Sequence, residues 1–274
     1  MTSKPKARII QLEVRIQAPR DVVWAALTEA SELSRWFPPV ATGKPGLGEE
    51  LSFSWGDLHW HTEVVGWEPG RHLVWRDKPE KPAVAADGTA AAGPMAVDWT
   101  LEAAGGEVRV RLVQSGFGEG DSWDDFYQGT DFGWRFYLHA LRHYLERHRG
   151  KQRAMAWVRR HARGGPSVPW GKVWSADGFA PTPDAAHLAA GRPVQLSLGT
   201  ERLGGTVDFV QAPRGLWATL VSLEDATLLV EMEPGQEERH AGLWLSTYGL
   251  PEERVAALQS ALTAMADRVL PVAG

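Results

Sequence analysis

Between Ile10 and Ile16 apolar and polar residues alternate one for one: Ile10, Leu12, Val14 and Ile16 against Gln11, Glu13 and Arg15. A period of two predicts a half-buried strand. Ala18-Pro19 ends it. Pro19 with Asp21 then opens a short helix in which Val23, Ala26, Leu27 and Ala30 recur at helical spacing. Pro38-Pro39 and Gly43 to Gly46 break the chain, after which Leu51, Phe53 and Trp55 alternate with serines as a second strand. A turn at Gly56-Asp57 leads to a strand from Trp60 to Trp67, and Glu68-Pro69-Gly70 turns the chain into another through Leu73 and Trp75. Lys78 to Pro94, rich in Ala, Pro and Gly without periodicity, is expected to be a mobile loop. Val97 to Leu101 and Val108 to Val113 form a hairpin around Gly105-Gly106. The period then changes. Trp134, Leu138, Leu141 and Leu145, with Tyr137 and Tyr144 beside them, make one broad stripe of a long helix that must cover the sheet.

From Lys151 the pattern starts again. Trp24, Leu27 and Leu33 correspond to Trp170, Val173 and Phe179 at an offset of 146. Trp67-Glu68-Pro69 corresponds to Gln211-Ala212-Pro213 at 144, and Glu102, Ser115, Phe117 and Gly118 to Glu233, Ser246, Tyr248 and Gly249 at 131. The falling offset implies deletions in the second copy, chiefly where the first has its Lys78 to Pro94 loop. The second copy also ends in a helix, opened by Pro251, Glu252 and Glu253 and striped by Val255, Leu258, Leu262, Met265 and Val269. Two domains are therefore expected, 1–150 and 151–274, the second a diverged and reduced copy. Its first strand, near Ala154 to His161, alternates poorly, which leaves its register open.

Composition sharpens this picture at one point: 14 of the 274 residues are Trp. Tryptophan supplies large, rigid apolar area with a single N–H to satisfy, which suits oversized cores and cavities for apolar ligands alike. The remaining composition is that of a soluble globular protein, 43% hydrophobic and 23% charged. The formal net charge of −5 is small and of the wrong sign for global nucleic-acid binding. With no cysteine, disulfides, thiolate metal sites and a cysteine nucleophile are excluded. Neither a secretory h-region near Met1 to Ile10 nor an apolar run long enough for a membrane span is found, so a cytoplasmic location is expected.

Ile16-Gln17-Ala18-Pro19, Val22 to Thr28, Glu32-Leu33-Ser34-Arg35-Trp36-Phe37-Pro38 and Ser115-Gly116-Phe117-Gly118 resemble the START and SRPBCC superfamily. Within it they are most similar to bacterial proteins related to the activator of the ninety-kilodalton heat-shock protein ATPase. Gly129-Thr130, Gly133-Trp134 and His143 to Glu146 resemble that family's final helix, and Leu245 to Pro251 is the clearest segment of a degenerate second unit. The resemblance spans residues 8 to 149. It implies an α+β fold of two tandem helix-grip units, each a curved antiparallel sheet wrapped on a long C-terminal helix, and an apolar cavity between sheet and helix. Site residues are less secure than fold, because sites and not folds carry chemistry.

The sequence fits such a cavity. Phe53, Trp55, Trp60 and Trp99 on strands, Trp134, Tyr137, Leu138 and Leu141 on the long helix, and Trp36 and Phe117 beside them are the expected ligand-binding residues. The same rings are also able to fill the space completely. Burial of about 300 Å² of apolar ligand surface gives about 7.5 kcal/mol before association costs, so micromolar or weaker affinity is expected. The expected partner is an apolar small molecule. Alternatives are a chaperone-ATPase-activator-like interaction protein, or a cyclase- or dehydratase-like enzyme using His61 with Glu63 or Asp98 turned inward.

Other candidates are weaker. His59 and His61 share a strand face, and His139 and His143 stand four apart on a helix, but Ala140 leaves no zincin-type base, so no metal is expected. Asp124, Asp125 and Asp131 suit a helix start. Eight basic residues between Arg142 and Arg163 face a second half with 7 basic and 13 acidic residues, which favours a domain-junction role over nucleic acid. Gly43 to Gly48 lacks the Ser or Thr and the helix of a phosphate cradle, no serine elbow is present, and no cofactor is expected.

Overall fold

The computed structural model describes residues 8–56, 58–78, 88, 91, 93–233 and 239–271. The chain divides into two compact units, residues 1–150 and 151–274. Of the segment Lys78 to Pro94, most lies outside the described residues, and with it the expected loop.

In the first unit, β1 (Ile10–Ile16) leads into α1 (Arg20–Thr28) and α2 (Ala30–Leu33). There follow β2 (Val40–Gly43), β3 (Glu50–Trp55), β4 (Leu58–Glu68), β5 (His72–Asp77), β6 (Ala96–Ala104), β7 (Glu107–Ser115) and the long α3 (Asp124–Arg147). The seven strands form one antiparallel sheet in the order β1-β7-β6-β5-β4-β3-β2. β1 thus crosses to pair with the last strand, Ile10 opposite Gln114 and Ile16 opposite Val108. The meander and the terminal helix follow the apolar periodicity closely. β2 does not: four residues at the sheet edge with no buried member carry no alternation, and the breaker residues around them hide it.

The second unit contains β8 (Arg153–Ala162), α4 (Ser167–Val173), β9 (Pro193–Leu198), β10 (Glu201–Gln211), β11 (Gly215–Leu220), β12 (Ala226–Met232), β13 (Arg239–Tyr248) and α5 (Glu252–Val269). Its sheet runs β8-β13-β12-β11-β10-β9, the order of the first unit without an equivalent of β2. What stands in the place of β2 is a single bridge from Thr182 to Gln195.

The two sheets share their register pair by pair. Ile10 faces Gln114 and Ala156 faces Leu245, which are those residues displaced by 146 and 131. Leu73 faces Trp99 and Leu216 faces Val230, displaced by 143 and 131. Ala96 faces Ser115 and Thr227 faces Ser246, both displaced by 131. β4 and β10 each carry a bulge at matching points, between Val64 and Gly66 and between Val207 and Phe209. The middle strands correspond at 143 and not at the 144 suggested by the prolines: Pro69 and Pro213 are not equivalent positions of the turn. β8 is settled by its ladder with β13, since its own alternation is weak.

The bulge of β4 is tight. A Cβ on Gly66 would lie 2.7 Å from Val74 Cγ2. Gly66→Ala is expected to destabilise the chain by about 1–3 kcal/mol, read as a lower urea midpoint at unchanged slope. Val74→Ala in the same chain should relieve part of the loss; a double variant no better than the sum of the singles would locate the strain elsewhere.

Candidate functional site

Strand parity decides which side chains of the first unit meet α3. Leu51 and Phe53 on β3, Thr62 and Val64 on β4, Leu73 and Trp75 on β5, Val97 and Trp99 on β6, and Val110 and Leu112 on β7 are all buried and share the inner face. α3 lies over this face, with Trp134, Leu138, Leu141 and Leu145 buried along one stripe. The Trp134 indole donates to the Gln114 side-chain oxygen, and the Trp55 indole donates to Tyr137 Oη at 3.0 Å, tying helix to sheet twice.

The middle of this space is occupied by Phe37. Its ring centroid stands 4.7 Å from Tyr137, 5.2 Å from Phe53, 5.3 Å from Trp55 and Trp134, 5.4 Å from Trp36 and 6.1 Å from Trp75. Trp99 closes the group at 5.2 Å from Trp75 and 5.5 Å from Trp134. Edge-to-face and offset arrangements at these separations are the favourable ones for aromatic rings. Phe37 reaches this position because the segment before it is anchored. The Trp36 indole donates to the Ala26 carbonyl at 2.8 Å, the Ala41 amide donates to Ser34 Oγ at 2.8 Å, and Arg35 donates to both Glu32 and Tyr144 Oη.

The residues expected from sequence are distributed as follows. Trp36, Phe53, Trp55, Trp99, Trp134 and Tyr137 belong to this aromatic group, and Leu138 and Leu141 are buried on the helix above the sheet. Trp60 lies opposite Phe53 on the same face but at the open end, about a third exposed (36%). Phe117 joins a different set of rings, with Phe126 and Tyr127, at the start of α3.

Phe37, Trp75, Asp77 and Gln114 were not among the expected site residues. The alternation of Leu73, Trp75 and Asp77 carries the signal for two of them: it puts Asp77 on the inner face, opposite Thr62. Among the described strand residues Asp77 is the sole titratable side chain on that face. Burial pushes its carboxyl up to about 6, partly opposed by the hydrogen bond that the Trp60 indole donates to it. Trp75 and Trp99, fully buried, have indole N–H groups without an acceptor among the described residues. Each such orphan donor costs about 1–3 kcal/mol.

The acid/base pairs proposed for an enzyme do not turn inward. Glu63 pairs with Arg76 at 3.1 Å and Asp98 with His72 at 3.1 Å, all on the outer face, where His61 and His59 bond Ser52 and Ser54 across the β3–β4 ladder. His139 and His143 stack at 5.7 Å, and burial holds the His139 imidazole down at about 3. No cluster of His, Asp or Glu suited to a metal occurs among the described residues. Asp124 and Asp125 occupy the first turn of α3, with Asp124 paired to Arg8 and Asp131 to Arg135. Of the basic segment, Arg159 and Arg160 pair with Glu233 and Asp267 inside the second unit. No described helix is long and apolar enough to cross a membrane.

Residues 17–146 match the family described as Activator of Hsp90 ATPase homolog 1-like protein, nearly the whole of the first unit. The first unit is similar to this family. Such a domain supports ligand binding or an Aha1-like role in general terms. Among solved structures, the Aha1 dimer of Colwellia psychrerythraea is similar at 20% identity and a TM-score of 0.44, covering 52% of this chain and 99% of its own. Protein MLL2253 of Mesorhizobium loti is similar at 24% identity and 0.44, with 52% and 99% covered. DynU16, from the dynemicin biosynthetic locus, is similar at 18% identity and 0.43, with 94% and 95% covered. No curated protein matches the chain.

Asp77 makes the stability of the first unit depend on pH. Its carboxyl holds a proton more tightly in the folded chain, at about 6, than at its ordinary value of 3.8. Stability therefore falls as pH rises through that window and stays reduced above it. Asp77→Asn is expected to raise the denaturation midpoint at about pH 8, by about 1–2 kcal/mol after solvent screening, and to leave it unchanged below about pH 4. An equal effect at both pH values would mean that desolvation of the charge is not the cause.

Proposed function

We propose that the first unit binds a flat apolar small molecule in the cytoplasm, between its sheet and α3, and that Phe37 takes the place of the ligand's rings when none is bound. The second unit is, on this view, a reduced copy produced by tandem duplication, in which aliphatic side chains close the corresponding strand positions.

The observation that carries this is the comparison of the two interiors at matching register. Trp60, Trp75, Asp77, Trp99 and Gln114 of the first unit correspond to Leu203, Ala218, Leu220, Val230 and Leu245 of the second. Phe53 and Trp55 correspond to Leu196 and Leu198. All seven residues of the second unit belong to one continuous buried cluster. The ladder therefore closes with aliphatic side chains at these positions, so the fold itself does not require the Trp75 and Trp99 indoles or the Asp77 carboxyl on the inner face, although the second unit has a buried carboxyl of its own at Glu231 and an indole without an acceptor among the described residues at Trp174. Groups that cost folding free energy are the ones a bound molecule can satisfy.

Phe37 provides the test. Isothermal titration of the full chain with 1-naphthylmethanol should give saturable binding, micromolar or weaker. Phe37→Leu should tighten it severalfold, because less must be displaced, while lowering stability by about 1–2 kcal/mol. Absence of binding by both proteins would remove the proposal; equal binding by both would remove the displacement of Phe37.

A further inference from the structure

Asp77 is placed unlike the carboxylates around it. Glu50, Glu63 and Asp98, on β3, β4 and β6, point to the outer face and pair with Lys78, Arg76 and His72. Asp77 points to the inner face, where no basic side chain of the described strands stands, and its donor among the described residues is the Trp60 indole. A carboxylate accepts several hydrogen bonds, so most of its capacity is unused. Desolvation there makes its charge costly alone and strongly attractive to a cation. Its neighbours on the same face include Trp60 and Trp75, and an indole attracts a cation through its ring face. Deeper on the same face, Trp75 and Trp99 present N–H donors without acceptors among the described residues.

We propose that the ligand of the first unit is a flat aromatic molecule bearing a basic nitrogen, with its rings among the tryptophans and its ammonium group on the Asp77 carboxylate beside Trp60. This rests on the ligand-binding function proposed above and adds the ligand's charge. A hydrogen-bond acceptor at the other end of the molecule would serve Trp75 and Trp99. Leu220, which fills the corresponding place in the second unit, offers such a cation nothing.

Three probes with one ring system separate charge from shape: 1-naphthylmethylammonium, 1-naphthylmethanol and 1-naphthoate, titrated calorimetrically into the full chain at about pH 7.5. The ammonium should bind roughly ten- to hundredfold more tightly than the alcohol, and the carboxylate most weakly. Asp77→Asn should abolish the preference, so that the variant binds ammonium and alcohol alike, whereas Asp77→Glu should keep part of it. At about pH 4.5, where the carboxyl is protonated, the wild-type preference should also collapse. If the alcohol binds as well as the ammonium, or Asp77→Asn weakens both alike, the charge assignment is overturned and ligand binding itself stands. If none of the three binds, both are overturned.

Discussion

A wide curved sheet has to be covered by a single helix, and the side chains of the first unit answer to that constraint. Seven strands spaced about 4.8 Å apart span nearly 30 Å, while one helix with its side chains covers about 10 Å. The remaining width is filled from within by large rings and from the side by the segment after α2, whose Phe37 enters between helix and sheet. The hydrogen bonds of Trp36, Ser34 and Arg35 fix that segment, so the position of Phe37 is set by contacts outside the ring cluster.

The second unit meets the same constraint with six strands that carry mostly aliphatic side chains inward and with Trp170, Trp174 and Phe179 from outside the sheet, and comparison of the two separates what the fold demands from what it tolerates. Register, bulge and strand order are common to both and belong to the fold. The tryptophans, Gln114 and Asp77 are not, and two of the indoles and the carboxyl work against stability where they stand. Features retained against such a cost are the natural place to look for function.

Much of this was legible in the chain itself. Clean alternation in β1 and β5 and the stripe of α3 gave their elements directly, and the repeated residues gave the offsets that the ladders later aligned. β2 was hidden because a short edge strand has no buried face to impose a period. β8 was obscure because its residues alternate weakly, and only its pairing with β13 fixes it. At the site, rings on regular elements could be assigned by parity, and five of them, Phe53, Trp55, Trp99, Trp134 and Tyr137, do meet. Phe37 could not, since it lies in an irregular segment whose direction depends on contacts distant in sequence. Phe117 was misleading for the opposite reason: it adjoins the sheet in sequence but packs with the rings that open α3.

In the second unit β9 is the sheet's last strand, and the segment from Phe179 to Thr182 runs beside it: the Gln195 amide donates to the Thr182 carbonyl at 2.9 Å and the Ser197 amide to the Phe179 carbonyl at 2.7 Å, with Pro193 at the strand's start. An exposed strand margin invites another chain to extend the sheet, and proline, lacking an N–H, is one of the residues that discourages it. Along β9 two outward amides are already spent within the unit and the third position, Pro193, has none to offer, which leaves this margin a poor template for a further strand.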